Sequence, residues 1–248
     1  MKWRIVEMEE RDAYHNMALD SAAMESVRGG AELPTIRFYR WLPSAVSVGC
    51  FQSMRDEVNI GKCRELGVSY VRRITGGGAV YHDSSGEITY SVIAPESAFP
   101  KGIIESYRAI CSWIIDGLAR IGIKAEFAPI NDIVANGRKI SGNAQTRRGG
   151  ILLQHGTVLY SPDIKKMFTL LKVSGEKISD KAIRSVEERV TGAKALADVS
   201  LGGLYAALLK GFTDGKDHEL GSWSGAELGR ADELARSVYS KDEWNFSR

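Results

Sequence analysis

The chain has 248 residues, 44% of them hydrophobic and 26% charged, with a formal net charge of +2. This is the composition of an ordinary soluble protein, long enough to bury a substantial core as one large α/β domain or one domain with a small appendage. A net charge this small excludes charge alone as a sign of nucleic-acid binding, which needs clustered, uncompensated cations.

Cys50, Cys63 and Cys111 are odd in number and far apart, with no Cys-x-x-Cys and no histidine cluster beside them. They predict free, mostly buried thiols in a reducing cytoplasm, with neither a disulfide framework nor a zinc site. The first ten residues carry no apolar signal core, and nowhere do ~18 apolar residues run together, so a cytoplasmic protein with no membrane partner is expected.

In chain order, a strand is expected near Trp3 to Met8, then a helix over Tyr14 to Val27 that Gly29-Gly30 ends. Thr35 to Trp41 alternates as a strand does, and Ala45 to Cys50 is a second one. Glu57 to Glu65 reads as a short helix stopped by Gly67. The stretch Val71-Arg72-Arg73-Ile74-Thr75-Gly76-Gly77-Gly78-Ala79-Val80-Tyr81-His82-Asp83 follows. A strand carrying two arginines enters three glycines, and Glu87 to Ile93 supplies a further strand, expected to pair across them. Glycine repeated at a strand end costs backbone entropy, so it implies a positive φ or a backbone lying directly against a ligand. With cations such as Arg73 just before it, an anionic ligand with phosphate or carboxylate groups is the natural guest. The spacing is neither a dinucleotide fingerprint nor a P-loop. The bland alternative is a tight turn with solvated arginines.

Ile103 to Ile121 repeats apolar residues at three-four spacing, an amphipathic helix that covers a sheet face. Asn136-Gly137 between two strand-like runs predicts a type I′ hairpin. A two-residue turn pairs Val134 with Lys139 and Asp132 with Ser141, bringing a lysine, an acid and a hydroxyl to one face while Ile133 and Ile140 point the other way. Ile151 to Tyr160 is a strand with a polar centre, Gln154-His155-Gly156-Thr157, though a lone histidine there is ordinarily a satisfied core group. A helix is expected over Ile164 to Val173, and the remainder reads as helices, including Leu201 to Phe212 and Ala226 to Tyr239. No repeat or low-complexity tract marks a second domain, so residues 1–248 are expected to be one catalytic domain.

Taken together, Arg72 to Asp83, Asn131-Asp132-Ile133, Gly137 to Ala144 and His155-Gly156-Thr157 resemble the lipoate-protein ligases. Arg184-Ser185-Val186, Arg189-Val190-Thr191 and Glu243-Trp244-Asn245-Phe246 match more weakly, and the likeness runs over nearly the whole chain in order. It implies the α/β fold of the biotin and lipoate ligases, mixed sheets flanked by helices and related to class II aminoacyl-tRNA synthetases. It also implies that lipoate and ATP with Mg²⁺ give lipoyl-AMP, and that the lipoyl group then passes to a lysine of an acceptor such as a 2-oxoacid dehydrogenase E2 or a glycine-cleavage H protein. On this likeness Lys139 is the catalytic lysine that contacts the acyl carbonyl and the phosphate. Arg73, Thr75, Gly76, Gly77, Gly78, Ala79, Val80 and His82 line the lipoyl-adenylate site. Asn131 and Asp132 lie near nucleotide and metal, with Asp132 a metal ligand, and Ser141, Gly142, Ala144, His155, Gly156 and Thr157 complete the site.

Two departures bear on the mechanism. Related octanoyl and lipoyl transferases that form a thioester need a cysteine, in many of them shortly before the lysine hairpin, and Ala125 to Asp132 contains none. Many bacterial ligases also continue into an accessory domain beyond the position of Phe246, so a separate small accessory protein is an expected partner. The alternatives are an octanoyl or lipoyl transferase that uses acyl carrier protein or a lipoyl-protein donor without ATP, and a non-catalytic lipoyl-binding subunit.

Overall fold

The computed structural model describes residues 1–172 and 180–248, with side chains for 1–172 and 184–248. Its strands are β1 (Trp3–Arg11), β2 (Thr35–Trp41), β3 (Ala45–Val48), β4 (Ser69–Arg72), β5 (Val80–His82), β6 (Glu87–Pro95), β7 (Ala125–Ala128), β8 (Asp132–Ala135), β9 (Arg138–Arg148), β10 (Ile151–Leu159) and β11 (His218–Gly221). Eight form a mixed sheet in the order β11-β1-β2-β6-β10-β9-β8-β7, and three form a smaller one, β4-β3-β5.

Helices cover both faces of the large sheet because its strands alternate apolar residues to both sides. On β6, Ile88, Tyr90, Val92 and Ala94 join the core beneath the helices Ile103–Ala119 and Leu201–Thr213. Ile93, one step out of phase, joins the opposite core with Ala18, Ala22 and Trp41, beneath the helix Ala13–Arg28. Each fully buried Ile or Phe contributes about 1.5–3 kcal/mol, so these layers fix the sheet as a rigid platform. Asp12 caps the Ala13–Arg28 helix by accepting from the amides of Tyr14 and His15.

Most elements fall where periodicity places them, and the departures concern long-range pairing. The strand before the glycines does not pair with Glu87 to Ile93: β4 and β5 lie on either side of β3 in the small sheet, whereas β6 belongs to the large one. The glycine loop therefore bridges across β3 at the junction of the two sheets. The helix expected over Glu57 to Glu65 is two short helices, Met54–Glu57 and Ile60–Glu65, each with its own polar N-cap, Ser53 and Asn59. Among the expected C-terminal helices lies β11, an edge strand that pairs parallel with β1 and is exposed along its length, so no hydrophobic pattern announces it. The helix expected over Ile164 to Val173 spans Ile164–Leu170, and Val173 lies outside the described residues.

The hairpin begins as expected. Asn136 and Gly137 both have positive φ, 50° and 71°. Val134 pairs with Lys139, but a bulge between Ile133 and Val134 then shifts the register, so Ile133 faces Ser141 and Asp132 faces Gly142. The slip keeps both Ile133 and Ile140 fully buried and sends Ser141 inward with them.

Candidate active site

A cavity of about 310 Å³ lies where the two sheets meet, within the range of small-ligand sites. The loop of Gly77, Gly78 and Ala79 forms one wall, and Gly142, Asn143 and Ala144 of β9 with His155, Gly156 and Thr157 of β10 form another. Those two motifs meet because β9 and β10 pair antiparallel with Thr157 opposite Gly142, Gly156 opposite Asn143 and His155 opposite Ala144. Apolar residues including Val80, Leu159, Ile164, Met167, Leu171 and Val190 complete the lining.

The arginines before the glycines brace the loop. Arg73 is buried, and each kind of donor on its guanidinium has a partner within the chain. Nε donates to Thr75 Oγ1 (3.1 Å), Nη1 to the carbonyl and Oγ of Ser47 (3.2 and 3.0 Å), and Nη2 to the carbonyls of Gly76 and Gly78 (both 2.8 Å). A guanidinium has five N–H donors, and these five bonds match them, so Arg73 has no donor left for a phosphate contact. Burial pushes its pKa down to about 10. Gly77 has φ +94°, and a Cβ there would stand 3.0 Å from Arg73 Nη2, so the loop needs glycine for both reasons. Arg72 donates to the carbonyls of Gly49, Gln52, Trp244 and Asn245, while Trp244 Nε1 donates back to the Arg72 carbonyl. The closing Glu-Trp-Asn-Phe segment is thus welded to the strand before the loop. Both guanidiniums bond directly only to carbonyls and hydroxyls, and the carboxylates nearest Arg73 reach it only through histidines.

Two hydroxyl–histidine–carboxylate chains converge on Arg73. Ser47 Oγ meets His82 Nε2 at 2.8 Å, and His82 Nδ1 meets Glu87 Oε1 at 2.6 Å. Thr75 Oγ1 meets His155 Nε2 at 2.7 Å, and His155 Nδ1 meets Asp20 Oδ2 at 2.9 Å. Trp41 stacks on the His82 ring at 4.0 Å. Burial holds His155 below the ordinary histidine range despite Asp20. His155 thus has a partner at each ring nitrogen and also lines the cavity.

Lys139 lies opposite the glycine loop. Its backbone is held on both sides: it pairs with Val134 in the hairpin, donates to the Arg189 carbonyl (2.8 Å) and accepts from the Thr191 amide (2.9 Å). That explains the weaker Arg-Val-Thr match. Its ammonium is half-exposed and 2.7 Å from Asp132 Oδ1. Both lie over Gly142, where a Cβ would be 2.8 Å from Lys139 Cε and Nζ and 3.6 Å from Asp132 Oδ1. Asn131 and Asn143 bind each other reciprocally through side chains and backbone, and Asn143 Oδ1 also accepts from Tyr90 Oη (2.6 Å).

Of the expected site residues, Lys139, Arg73, Gly77, Gly78, Ala79, Val80 and His82 line the cavity, as do Asn131, Gly142, Ala144, His155, Gly156 and Thr157. Four do not. Thr75 is buried behind the wall between Arg73 and His155, and Gly76 offers its carbonyl to Arg73. Asp132 borders the site through Lys139. Ser141 is turned into the core by the bulge, its hydroxyl buried without a partner. Sequence reasoning missed Asn143, Ser47 and Glu87. Asn143 lies inside the Gly-Asn-Ala motif and could have been found there; the other two carry no local signal.

The arrangement places a half-exposed ammonium and a glycine-backed wall around one partly apolar cavity. Such a cavity can hold a medium-chain acyl group with its carbonyl near a cation. No group of three His, Cys, Asp or Glu suited to a metal occurs among the described residues. Among those residues no helix is long and apolar enough to cross a membrane.

Residues 12–213 match the Lipoyl protein ligase A/B catalytic domain. The chain is 33% identical to the octanoyltransferase LipM of Brevibacillus brevis, over 100% of this chain and 99% of that protein. Among solved structures it resembles the bi-partite lipoate protein ligase of an archaeal lipoylation system, described with its E2 lipoyl domain, from Thermoplasma acidophilum (31% identity, TM-score 0.90, 99% of this chain and 96% of the other). It also resembles lipoate-protein ligase A bound with ATP (30% identity, TM-score 0.85, 99% of each chain).

Proposed function

Since the chain belongs to the lipoyl protein ligase A/B catalytic domain family, we propose that residues 1–248 act as one catalytic domain that transfers an octanoyl or lipoyl group to a lysine of a lipoyl-domain protein. The observation that carries this reading is the Lys139 ammonium, fixed on β9 and facing the glycine loop across a shared cavity.

The relatives' names support an octanoyl donor in preference to free lipoate. In that reading the acyl group arrives as a thioester of acyl carrier protein. The acceptor amine attacks the carbonyl carbon, the C–N bond forms, the C–S bond breaks, and the thiolate leaves with the amine's proton. Lys139 stabilises the carbonyl oxygen as charge builds on it. Transfer is direct, because no cysteine lines the cavity. Burial pushes the Cys63 thiol up to about 11 and the Cys111 thiol up to about 12, and Cys50 stands outside the lining.

ATP-dependent activation of lipoate is the second reading, favoured by that same absence of a cysteine nucleophile and by the likeness to an ATP-bound ligase. The lipoate carboxylate would attack the α-phosphate of ATP, the bond to the β-phosphate would break to release pyrophosphate, and AMP would be the group the acceptor amine later displaces. Asp132 and Asn131 would hold Mg²⁺, since one carboxylate suits an ion that keeps most of its water. A separate small accessory protein completes this reading. Lys139 then bridges the acyl carboxylate and the α-phosphate, exchanging its weak ion pair with Asp132 for them.

The test is acylation of an apo lipoyl domain by the purified chain, read by mass. Transfer from octanoyl carrier protein without ATP supports the first reading. Lipoylation that needs ATP and releases pyrophosphate, with or without an accessory protein, supports the second. A chain inert with both donors and with lipoyl-AMP refutes both and leaves a lipoyl-binding subunit.

A further inference from the structure

Arg73 fixes one side of the hydrogen-bond polarity around it. A guanidinium only donates, so Ser47 Oγ and Thr75 Oγ1 accept from it, at 3.0 and 3.1 Å. Each hydroxyl then has one hydrogen to place, and the imidazole Nε2 beside it, at 2.8 Å for His82 and 2.7 Å for His155, is the acceptor in reach. Among the described residues no other acceptor lies within hydrogen-bond distance of either hydroxyl, so this geometry points to bare Nε2 atoms and to protons on Nδ1, facing Glu87 Oε1 and Asp20 Oδ2. The carboxylates are themselves fixed. Glu87 Oε1 accepts from Thr89 Oγ1 (3.1 Å), which accepts from Trp41 Nε1 (2.8 Å), and Asp20 Oδ1 accepts from Arg37 Nη1 (3.2 Å).

We propose that His82 and His155, both neutral and protonated on Nδ1, are positioning residues that hold Arg73 and, through it, the Gly76 and Gly78 carbonyls in the shape that acyl transfer requires. This rests on reading the cavity as an acyl-transfer site. Protonating either ring reverses one bond, so that the hydroxyl accepts from both Nε2–H and Arg73, its own hydrogen loses its acceptor, and a second cation stands beside a buried guanidinium. The charged and titratable groups facing the two rings are Arg73, Glu87 beside His82 on β6, Asp20 on the Ala13–Arg28 helix, and Arg37 and Tyr39 on β2. Uptake of a proton by His155, which burial holds to a lower pH than usual, therefore loosens the clamp.

The first test involves no acyl donor. Imidazole ¹⁵N–¹H correlation spectra at pH 8, assigned by His82→Gln and His155→Gln, should show both rings as Nδ1–H tautomers with unprotonated Nε2. Either ring found as the Nε2–H tautomer overturns the proposal. The second test is kinetic, with whichever donor the chain accepts. His82→Gln should lower kcat on the order of 10²-fold, the cost of displacing a site by about 1 Å. In an Arg73→Lys background the same change should add less than about twofold, because the clamp is already gone. Independent, multiplying effects refute action through Arg73. If no donor supports transfer, the functional reading fails while the tautomer measurement still decides this one.

Discussion

The Lys139 ammonium and the Asp132 carboxylate are 2.7 Å apart, and both lie over the bare backbone of Gly142. The pair is about half-exposed, and an ion pair of that kind is worth under about 1 kcal/mol. Lys139 can therefore leave Asp132 for a substrate oxygen at little cost. Replacing it with alanine should lower acyl transfer on the order of 10²–10³-fold, the range found when one oxyanion donor is removed. The thermal midpoint should barely move. A transfer assay paired with a melting curve checks both, and a variant that keeps activity removes Lys139 from the mechanism.

Gly142→Ala tests the floor beneath that lysine. A methyl group there would stand 2.8 Å from Lys139 Cε and Nζ. The clash is with the end of a flexible side chain, so the lysine should swing aside and the fold should hold. Activity should fall toward that of Lys139→Ala while the unfolding midpoint in urea stays near that of wild type. Equal losses of stability and activity would instead mark the glycine as purely structural.

Ser141 offers a prediction of the opposite sign. Its hydroxyl is buried without a partner, and its side chain does not line the cavity. An unsatisfied buried hydroxyl costs about 1–3 kcal/mol. Ser141→Ala should leave acyl transfer unchanged and raise stability by up to that amount. Lost activity would return Ser141 to the site.

His155 makes stability depend on pH. Burial holds its folded pKa below the ordinary value, so the unfolded chain binds more protons. The contribution of neutral His155 is complete above about pH 6.5, the unfolded value, and is lost as pH falls toward the folded one. Urea unfolding between pH 8 and 5 should show this decline, and His155→Gln should flatten it. A wild-type stability that is constant over that interval contradicts the assignment.

The elements and motifs were legible because they are local. Asn136-Gly137 announces its own turn, and Ile103 to Ile121 repeats at the helical period. What stayed hidden is long-range. The bulge that buries Ser141 is selected by the need to bury both Ile133 and Ile140, a demand of the far sheet face. The anion contact expected of Arg73 is answered in the structure by a ring of carbonyls and hydroxyls, because two cations before glycines look alike in sequence whether they meet a ligand or the chain itself. Only the fold brings Ser47 and Gly78 to the same guanidinium. Likewise β11 pairs through its backbone with no apolar side chain buried, so the sequence there carries no strand pattern.

The bonds that tie Arg72 to Trp244 and Asn245 span 172 and 173 residues. They give the site an order of completion during synthesis. When a ribosome has released residues 12–213, the span shared with the family, the strand leading into the glycine loop still has bare donors on Arg72 and no partner for its carbonyl. The loop acquires its settled form only once Trp244 and Asn245 have been added, and the core layer beneath the Ala13–Arg28 helix is completed over the same stretch, by Ala231, Ala235 and Tyr239.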